Sequence, residues 1–232
     1  MSPESEEYNT RLFSGGLRGR LHAARFRFLA EVTRDVPKDT VFELGCFDGK
    51  AIAHLSKQPI EYVGADAGWE GGLAQARHLW PQYEFYEARS ADDLIFLRGR
   101  SFDISICMET FEHIPIDLMS GYIDLLAEIT TGRLIVTVPV ELGPIFLVKH
   151  LMKRVFPYLN DDELHSYTFR EIVYAALGLT SRVKRGEHKG FDYRWLRKML
   201  ERRFHIVTYE GHPFARLPRW LNFGVGMVCV PR

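Results

Sequence analysis

Apolar positions follow two alternating patterns over the first 140 residues of the chain. Short apolar runs, typical of buried strands, lie at 40–44, 61–65, 83–86, 102–107 and 133–138. Helical spacing of apolar residues marks 17–34, 50–57, 72–79 and 116–129. Parallel strands need a crossover of about a dozen residues or more, and the segments between these strands are long enough to supply it. The pattern therefore predicts parallel βαβ units with right-handed crossovers.

Two further strands are predicted near the end of the chain. Residues 191–203 have helical spacing, and apolar runs at 205–209 and 224–230 follow them. We expect these late strands to form an antiparallel pair at one edge of the sheet. Together with the five earlier strands they give the predicted fold class, an α/β protein with a doubly wound, seven-stranded sheet.

Residues 141–190 interrupt this alternation. They carry two helical patterns, at 145–156 and 168–177, with no strand between them. The pattern predicts a helical cap inserted at about 141–190 into a single domain that spans 17–232. Residues 1–16 begin with an acidic, polar stretch and end in two glycines, and we expect them to be a flexible tail.

Composition restricts the classes of function. Apolar residues make up 46% of the 232 residues, which is enough for a packed core. No apolar run reaches the roughly 18 residues of a membrane-spanning helix, and a secretory signal is absent, so we expect a cytoplasmic protein. The formal net charge of +0 argues against DNA and against RNA as partners. Cys46, Cys107 and Cys229 lie far apart in apolar contexts and are expected to be buried thiols in a reducing compartment.

The loop after the first predicted strand has the composition of a cofactor site. It reads Glu43-Leu44-Gly45-Cys46-Phe47-Asp48-Gly49. Ligands of open α/β sheets bind outside the carboxyl ends of the strands, and small residues there let a cofactor approach the backbone amides. The Gly-x-Gly-x-x-Gly spacing of a dinucleotide site is absent, which argues against a nicotinamide dehydrogenase. The spacing present instead is Glu-x-Gly-x-x-x-Gly.

This loop resembles motif I of the class I S-adenosylmethionine-dependent methyltransferases, of the type 11/12-like kind, and the similarity covers roughly residues 40–140. Asp66 ends the second strand, where family members bind the ribose hydroxyls with an acid; a carboxylate accepts from both hydroxyls of a cis-diol. The segment 90–94 stands where the family contacts the adenine edge. The resemblance implies a Rossmann-like fold and S-adenosyl-L-methionine as cofactor. The cofactor-binding residues that it implies are Glu43, Gly45, Cys46, Phe47, Gly49, Asp66, Ala67, Ala91, Asp92 and Met108.

Phe47 departs from the family pattern. Many members have glycine at this position, and a phenylalanine adopts a positive φ only at an energetic cost. We therefore expect either a loop that bends differently or a Phe47 side chain that packs against the cofactor.

Three residues after the fourth strand, Glu109, Glu112 and His113, have the composition of a metal site. Their i, i+3, i+4 spacing would place them on one face of a helical turn, and this donor set suits Mg²⁺ or Mn²⁺. The Glu-x-x-Glu-His pattern is similar to that of ubiquinone-pathway O-methyltransferases and of the enzymes that methylate the 3′-terminal 2′-hydroxyl of small RNAs. In the RNA group a downstream histidine is the fourth ligand. Here His188 fits that role best, with His165 in reserve.

Two other interpretations of these residues stay open. Many methyltransferases with a Glu-His pair at this position use no metal, and His113 is then the catalytic residue, as a base or as a group that orients the substrate. A protein that binds the cofactor without catalysis is the alternative from another class. The leading hypothesis is a metal-assisted O-methyltransferase that acts on a hydroxyl of a sugar, a glycan or another small-molecule acceptor.

The predicted cap helix at 145–156 is apolar with a basic stripe formed by Lys149, Lys153 and Arg154. This pattern suits peripheral contact with a membrane or an amphiphilic substrate, and equally a lid helix packed on the domain. The sequence does not indicate an oligomeric state.

Overall fold

The computed structural model describes residues 17–155, 166–186 and 188–232. Seven strands form one sheet in the order β3-β2-β1-β4-β5-β7-β6, in which β7 runs antiparallel to its neighbours β5 and β6. The bounds are Thr40–Leu44 for β1, Glu61–Asp66 for β2, Glu84–Glu87 for β3, Phe102–Met108 for β4, Thr130–Pro139 for β5, Phe204–His212 for β6 and Gly224–Pro231 for β7. The predicted Rossmann-like, doubly wound sheet with an antiparallel edge pair is therefore confirmed. The tail predicted at 1–16 lies outside the described residues.

Six α-helices lie within the described residues. They are α1 at Leu17–Val32, α2 at Gly72–Leu79, α3 at Ile116–Ile129, α4 at Gly143–Val155, α5 at Phe169–Ala176 and α6 at Tyr193–Leu200. Short 3₁₀ turns lie at Lys50–His54, Trp69–Gly71, Ala91–Leu97, Thr180–Arg182 and Arg219–Leu221.

The helix predicted at 50–57 is wrong in type and length. Only a 3₁₀ turn forms, Lys50–His54, and Leu55 that follows it is already extended, with φ −73° and ψ 137°. Ala51, Ile52 and Leu55 supply all of the buried apolar contacts of this segment. The next three residues are exposed, and without an apolar face a longer helix has nothing to pack against.

Two apolar layers cover the sheet because successive side chains of a strand point to opposite faces. In β1, Val41 belongs to the layer that contains residues of α1 and α2, whereas Phe42 and Leu44 belong to the layer that contains residues of α3 and α6. The three cysteines are free and buried, as predicted. Burying both faces fixes the strand register and thereby the positions of the loops at the strand ends.

The cap predicted at about 141–190 contains α4 and α5, which pack on each other through a small core of Phe146, Ala175 and Val183. Thr168 caps α5, since its hydroxyl accepts from the Glu171 amide, and the Glu171 side chain accepts from the Thr168 amide in return. Residues 156–165 and 187 of the predicted cap lie outside the described residues.

Candidate functional site

A cavity of about 950 Å³ opens at the carboxyl ends of β1, β2 and β4. The order of the strands reverses between the neighbours β1 and β4. The connection after β1 leads to β2 on one side, and the connection after β4 leads to β5 on the other. Ligands of open α/β sheets bind at such a switch point. The cap contributes Arg185 and Gly186 to the wall, and α1 contributes Arg25 and Phe26.

Most of the predicted cofactor residues line this cavity. Those that do are Glu43, Gly45, Cys46, Phe47, Asp66, Ala67 and Met108. Gly49 has a positive φ of 71° but faces Trp80 and Ile52, away from the cavity. Gly45 permits close packing of two loops, because a Cβ atom there would lie 2.0 Å from Oγ1 of Thr110.

Phe47 adopts the conformation that its bulk argues against. Its φ is 47°, in the left-handed region that glycine favours. The first alternative, a loop that bends differently so that Phe47 avoids a positive φ, is therefore wrong. The ring packs against the start of α2, where a Cβ atom on Gly72 would lie 2.4 Å from Cδ2 of Phe47. Tertiary packing at Gly72 thus offsets the local cost of the backbone conformation. The same residue also lines the cavity.

Asp66 is held in place by the backbone of two loops. One carboxylate oxygen accepts from the amide of Phe47 at 3.1 Å and the other from the amide of Gly68 at 3.0 Å. Burial raises the pKa of the carboxyl, and these amides oppose that shift because they stabilise the ionised form. A carboxylate has about four acceptor sites in all, so the group keeps acceptor capacity for a ligand in the cavity.

Ala91 and Asp92 do not reach the cavity. Ala91 and Asp92 are the first residues of a 3₁₀ turn that begins after Ser90. The Asp93 carboxylate accepts hydrogen bonds from the backbone amides of Arg89 and Ser90. The turn leaves Asp92 exposed. The residues of this connection that line the cavity are Ala88 and Arg89, just after β3.

Acidic side chains outnumber basic ones around the cavity. The acids are Glu43, Asp48, Asp66, Glu70, Glu109 and Glu112, and the bases are Arg25, Lys50, Arg89 and Arg185. Glu43 is buried and accepts a hydrogen bond from the Tyr62 hydroxyl. Burial raises its pKa to about 8, although the hydrogen bond from Tyr62 acts in the opposite direction.

The prediction that the three residues after β4 share one helical face is wrong, because no helix forms between the end of β4 and Ile116. Residues 111–113 form a turn in which the His113 amide donates to the Thr110 carbonyl at 3.0 Å. Glu109 has φ 52° and its carboxylate accepts from the Thr137 hydroxyl at 3.1 Å. The turn therefore separates Glu109 from the other two residues.

Glu112 is a buried acid. It is 1% exposed, and neither carboxylate oxygen has a hydrogen-bond partner among the described residues. Burial raises the pKa of this carboxyl strongly, and the neighbouring Glu109 raises it further. A buried carboxyl in this state is stabilised by a proton or by a cation.

Glu112, His113 and His188 meet at one point. Their potential ligand atoms all lie within 4.8 Å of one another, and the two imidazole rings are 4.4 Å apart at their centroids. The cap thus brings His188 to the end of β4 over a separation that no local pattern encodes. Glu109 is not part of this group, and His165 lies outside the described residues.

Lys149 does not belong to an outward basic stripe. Its ammonium group pairs with Glu141 at 2.9 Å and donates to the carbonyls of Val140 and Phe223. Arg154 is exposed, and the side chain of Lys153 lies outside what the structure describes. Among the described residues, no helix has the length and apolarity needed to cross a bilayer.

Arg25 and Arg185 line the cavity beyond the site residues that the sequence predicts. Arg185 donates to the backbone carbonyl of Glu112 at 3.0 Å, and its guanidinium lies over the Phe191 ring at 4.9 Å. Arg25 reaches the cavity from α1. The basic character of α1 was visible in the sequence, but its position beside Glu109 and Glu112 depends on how α1 packs on the sheet.

Several solved structures with a similar architecture are methyltransferases. Magnesium protoporphyrin IX methyltransferase from Synechocystis PCC 6803, with bound SAH, matches with a TM-score of 0.58 and 17% identity over 99% of this chain and 96% of its own. A S-adenosylmethionine-dependent methyltransferase from Clostridium acetobutylicum ATCC 824 matches with a TM-score of 0.62 and 11% identity over 98% and 97%. The N-methyltransferase NodS from Bradyrhizobium japonicum WM9 matches with a TM-score of 0.53 and 11% identity over 92% and 98%.

These similarities show that the chain has the Rossmann-like methyltransferase fold. No protein-family model matches the sequence, and the curated proteins include no significant relative. Identities of 11–17% establish the fold alone, and one fold carries many chemistries.

Proposed function

We propose that this protein is a S-adenosylmethionine-dependent O-methyltransferase that acts on a hydroxyl of a sugar, a glycan or another small molecule, with the assistance of a divalent cation. The observation that carries the proposal is the cavity at the switch point of a methyltransferase fold, which Asp66, Glu112 and His113 line together, with His188 beside Glu112 and His113.

The charges of the cavity fit the cofactor. S-adenosylmethionine carries a sulfonium and an ammonium group against one carboxylate, so its net charge is positive. Asp48, Asp66 and Glu70 on the cavity wall place carboxyl groups where they can attract such a ligand. They disfavour a dinucleotide, whose pyrophosphate needs the positive end of a helix and a glycine-rich turn.

Specific residues of this chain would hold the cofactor. The Asp66 carboxylate, fixed by the amides of Phe47 and Gly68, is oriented to accept from the ribose diol. Gly45 and Cys46 bring the backbone of the loop after β1 close to the cavity, and Met108 supplies an apolar wall after β4. When bound, the cofactor would supply a methyl group activated by its sulfonium, which leaves as a neutral thioether. The protein's own task is then to align the acceptor and to accept its proton.

Glu112, His113 and His188 fit a divalent cation. The positive charge of a cation would stabilise the Glu112 carboxylate, which has no hydrogen-bond partner among the described residues. The two imidazoles favour Mn²⁺ over Mg²⁺ among hard divalent ions. A cation there would supply the positive charge that lowers the pKa of an acceptor hydroxyl. Glu109 borders the cavity and is engaged by Thr137, so we assign it no ligand role.

A metal-independent methyltransferase with His113 as the base is the second candidate. His113 is exposed and lines the cavity, which places an imidazole where an acceptor would enter. The two candidates differ in His188, which is essential as a ligand and secondary beside a lone base. A protein that only binds the cofactor would need neither histidine.

The test combines binding and turnover. Calorimetry with S-adenosylmethionine on the purified chain measures cofactor binding, and labelled cofactor incubated with glycan, lipid and small-molecule fractions identifies the acceptor. Turnover that is lost in EDTA and restored by Mn²⁺ supports metal assistance, whereas unchanged turnover in EDTA supports His113 as the base. Cofactor binding without methyl transfer to any fraction would leave only the non-catalytic alternative.

Contact with a membrane through residues 145–156 is a further part of the proposal, but the side chains that would make it differ from the predicted basic stripe. Lys149 is turned inward, so the outward face of α4 is formed by Leu147, Val148 and Leu151. This apolar face continues onto a neighbouring loop.

A further inference from the structure

The loop between β6 and β7 is fixed from within by one side chain. Asn222 is fully buried; its amide oxygen accepts from the Phe214 amide at 2.8 Å. Its amide nitrogen donates to the carbonyls of Phe214, at 3.1 Å, and Pro218, at 3.2 Å. Leu217 closes the turn by donating its amide to the Phe214 carbonyl. The loop 213–222 therefore has its backbone order supplied by hydrogen bonds and not by burial of its apolar side chains.

Those apolar side chains point into solvent. Phe214 is 52% exposed, Leu217 45% and Trp220 44%. The same loop carries exposed Arg216 and Arg219 and contains no acidic residue. Large apolar groups displayed by a loop of fixed shape mark a surface that is covered by a partner.

The apolar surface extends to the cap. Helix α4 packs against residues 219–221, and a Cβ atom on Gly143 would lie 3.8 Å from Cβ of Trp220. Exposed on α4 are Leu147, Val148 and Leu151, and this helix also has no acidic residue. The two elements together form one surface of apolar side chains on which Arg154, Arg216 and Arg219 are exposed.

A cationic pocket of about 510 Å³ adjoins this surface. Trp220 and Arg219 of the loop line it together with Arg194, Arg197, Lys198 and the rings of Tyr193 and Tyr209. The guanidinium groups of Arg197 and Arg219 lie 4.8 Å and 4.1 Å from the centroid of the Tyr209 ring.

Two of these cations lack a carboxylate. Arg194 pairs with Asp192 and Arg197 with Glu201, whereas Lys198 and Arg219 form no ion pair with the carboxylates that the structure describes. The pocket therefore keeps a net positive charge and suits a phosphate group, whose oxygens accept several charge-assisted hydrogen bonds.

We infer that the loop 213–222 and the outward face of α4 dock on a bilayer that contains anionic phospholipid, with a headgroup phosphate in the pocket lined by Lys198 and Arg219. Apolar side chains flanked by cations are what an anionic lipid surface binds, through burial in the interface and attraction to the headgroups. A second copy of this chain is a poorer occupant, because two surfaces that display arginines and contain no acidic residue would repel. This inference does not depend on the proposed methyl transfer.

Vesicle co-sedimentation of the full chain tests the inference. We expect binding to vesicles of phosphatidylglycerol and phosphatidylcholine that weakens with added salt, and little binding to pure phosphatidylcholine. Leu217→Ser with Trp220→Ala should weaken partitioning about tenfold or more, while Trp195→Ala, an exposed tryptophan outside the loop and the pocket, should not change it. Lys198→Gln with Arg219→Gln should weaken it about 30-fold.

Arg34→Gln with Lys57→Gln removes the same charge from exposed positions outside this surface and should leave partitioning unchanged. Circular dichroism melting establishes that each variant is folded. Equal binding to neutral vesicles, or equal loss in the two double-charge variants, would overturn the inference. So would binding of glycerol phosphate in solution without binding to vesicles, which would make the pocket a site for a soluble anion.

Discussion

Phe47 and Gly72 form a matched pair. The Phe47 ring occupies the space that a side chain at position 72 would need, since a Cβ atom there would lie 2.4 Å from Cδ2 of the ring. Gly72 starts α2, and Phe47 holds a left-handed backbone conformation in the loop after β1. The loop after β1 and the start of α2 are thus fitted to each other.

Gly72→Ala should therefore destabilise the protein by about 1–3 kcal/mol, because a methyl group in this contact overpacks the site. Combining it with Phe47→Gly should cost less than the sum of the two single changes, since the double variant has no ring to displace. Urea unfolding of the four proteins measures this cycle. Gly121→Ala is the matched control, because its Cβ meets only Ala91 at 3.4 Å. Strict additivity at positions 47 and 72 would contradict the pairing.

Asp66 and Asp92 should separate clearly as cofactor ligands. Asp66→Asn should weaken S-adenosylmethionine binding by roughly 10- to 100-fold, because hydrogen bonds to a charged group contribute about 1.5–3 kcal/mol. Asp92→Asn should have no effect, since Asp92 is exposed and does not line the cavity. Isothermal titration calorimetry measures both affinities. Equal losses would mean that the 3₁₀ turn after Ser90 rearranges on binding.

The centre of the sheet was accessible to sequence reasoning because β1, β2 and β4 are buried on both faces and appear as continuous apolar runs. The antiparallel pair β6 and β7 could be placed at the edge because of its position after the last helix and the continuous apolar run of β7. The segment 50–57 could not be assigned correctly, because helical spacing over so few residues does not show whether a partner surface exists. Its 3₁₀ turn is set by the packing of Ala51 and Ile52.

The residue pattern alone reached the site where it follows directly from a strand end, whereas His188, which lies beside Glu112 and His113, came from the family resemblance. Asp66 and the loop after β1 lie at such strand ends. Steric reasoning about Phe47 failed because its conformation depends on packing against Gly72, which lies 25 positions later in the chain. The three residues after β4 were expected on one helical face, but Glu109 has φ 52° and its carboxylate accepts from the Thr137 hydroxyl of β5.

The Glu112, His113 and His188 group should bind Mn²⁺ without Glu109. Glu112→Gln and His188→Ala should each lower Mn²⁺ affinity by on the order of 10- to 100-fold or more, since loss of even an outer partner of a metal ligand has that effect. Glu109→Gln should retain most of the affinity. Electron paramagnetic resonance of free Mn²⁺ measures binding directly.

His205→Ala is the control for that experiment, because His205 is an exposed histidine on β6 outside the group. Equal affinity in Glu112→Gln and the unchanged protein would remove the metal proposal. The orphaned carboxylate would then be held as the neutral acid, and His113 would remain as the base.

Glu43 should make the protein less stable as the pH rises. Burial raises its pKa in the folded state from the ordinary 4.5 to about 8, so between these values the folded chain keeps a proton that the unfolded chain has lost. The free energy of unfolding should fall across this window by several kcal/mol at most, since one pKa unit corresponds to about 1.4 kcal/mol. Glu43→Gln keeps an acceptor for Tyr62 and should flatten the slope, whereas Glu128→Gln, on the exposed side of α3, should not. Urea unfolding at intervals from pH 5 to pH 9 measures the three slopes, and parallel slopes in all three proteins would exclude a protonated Glu43 in the cofactor loop.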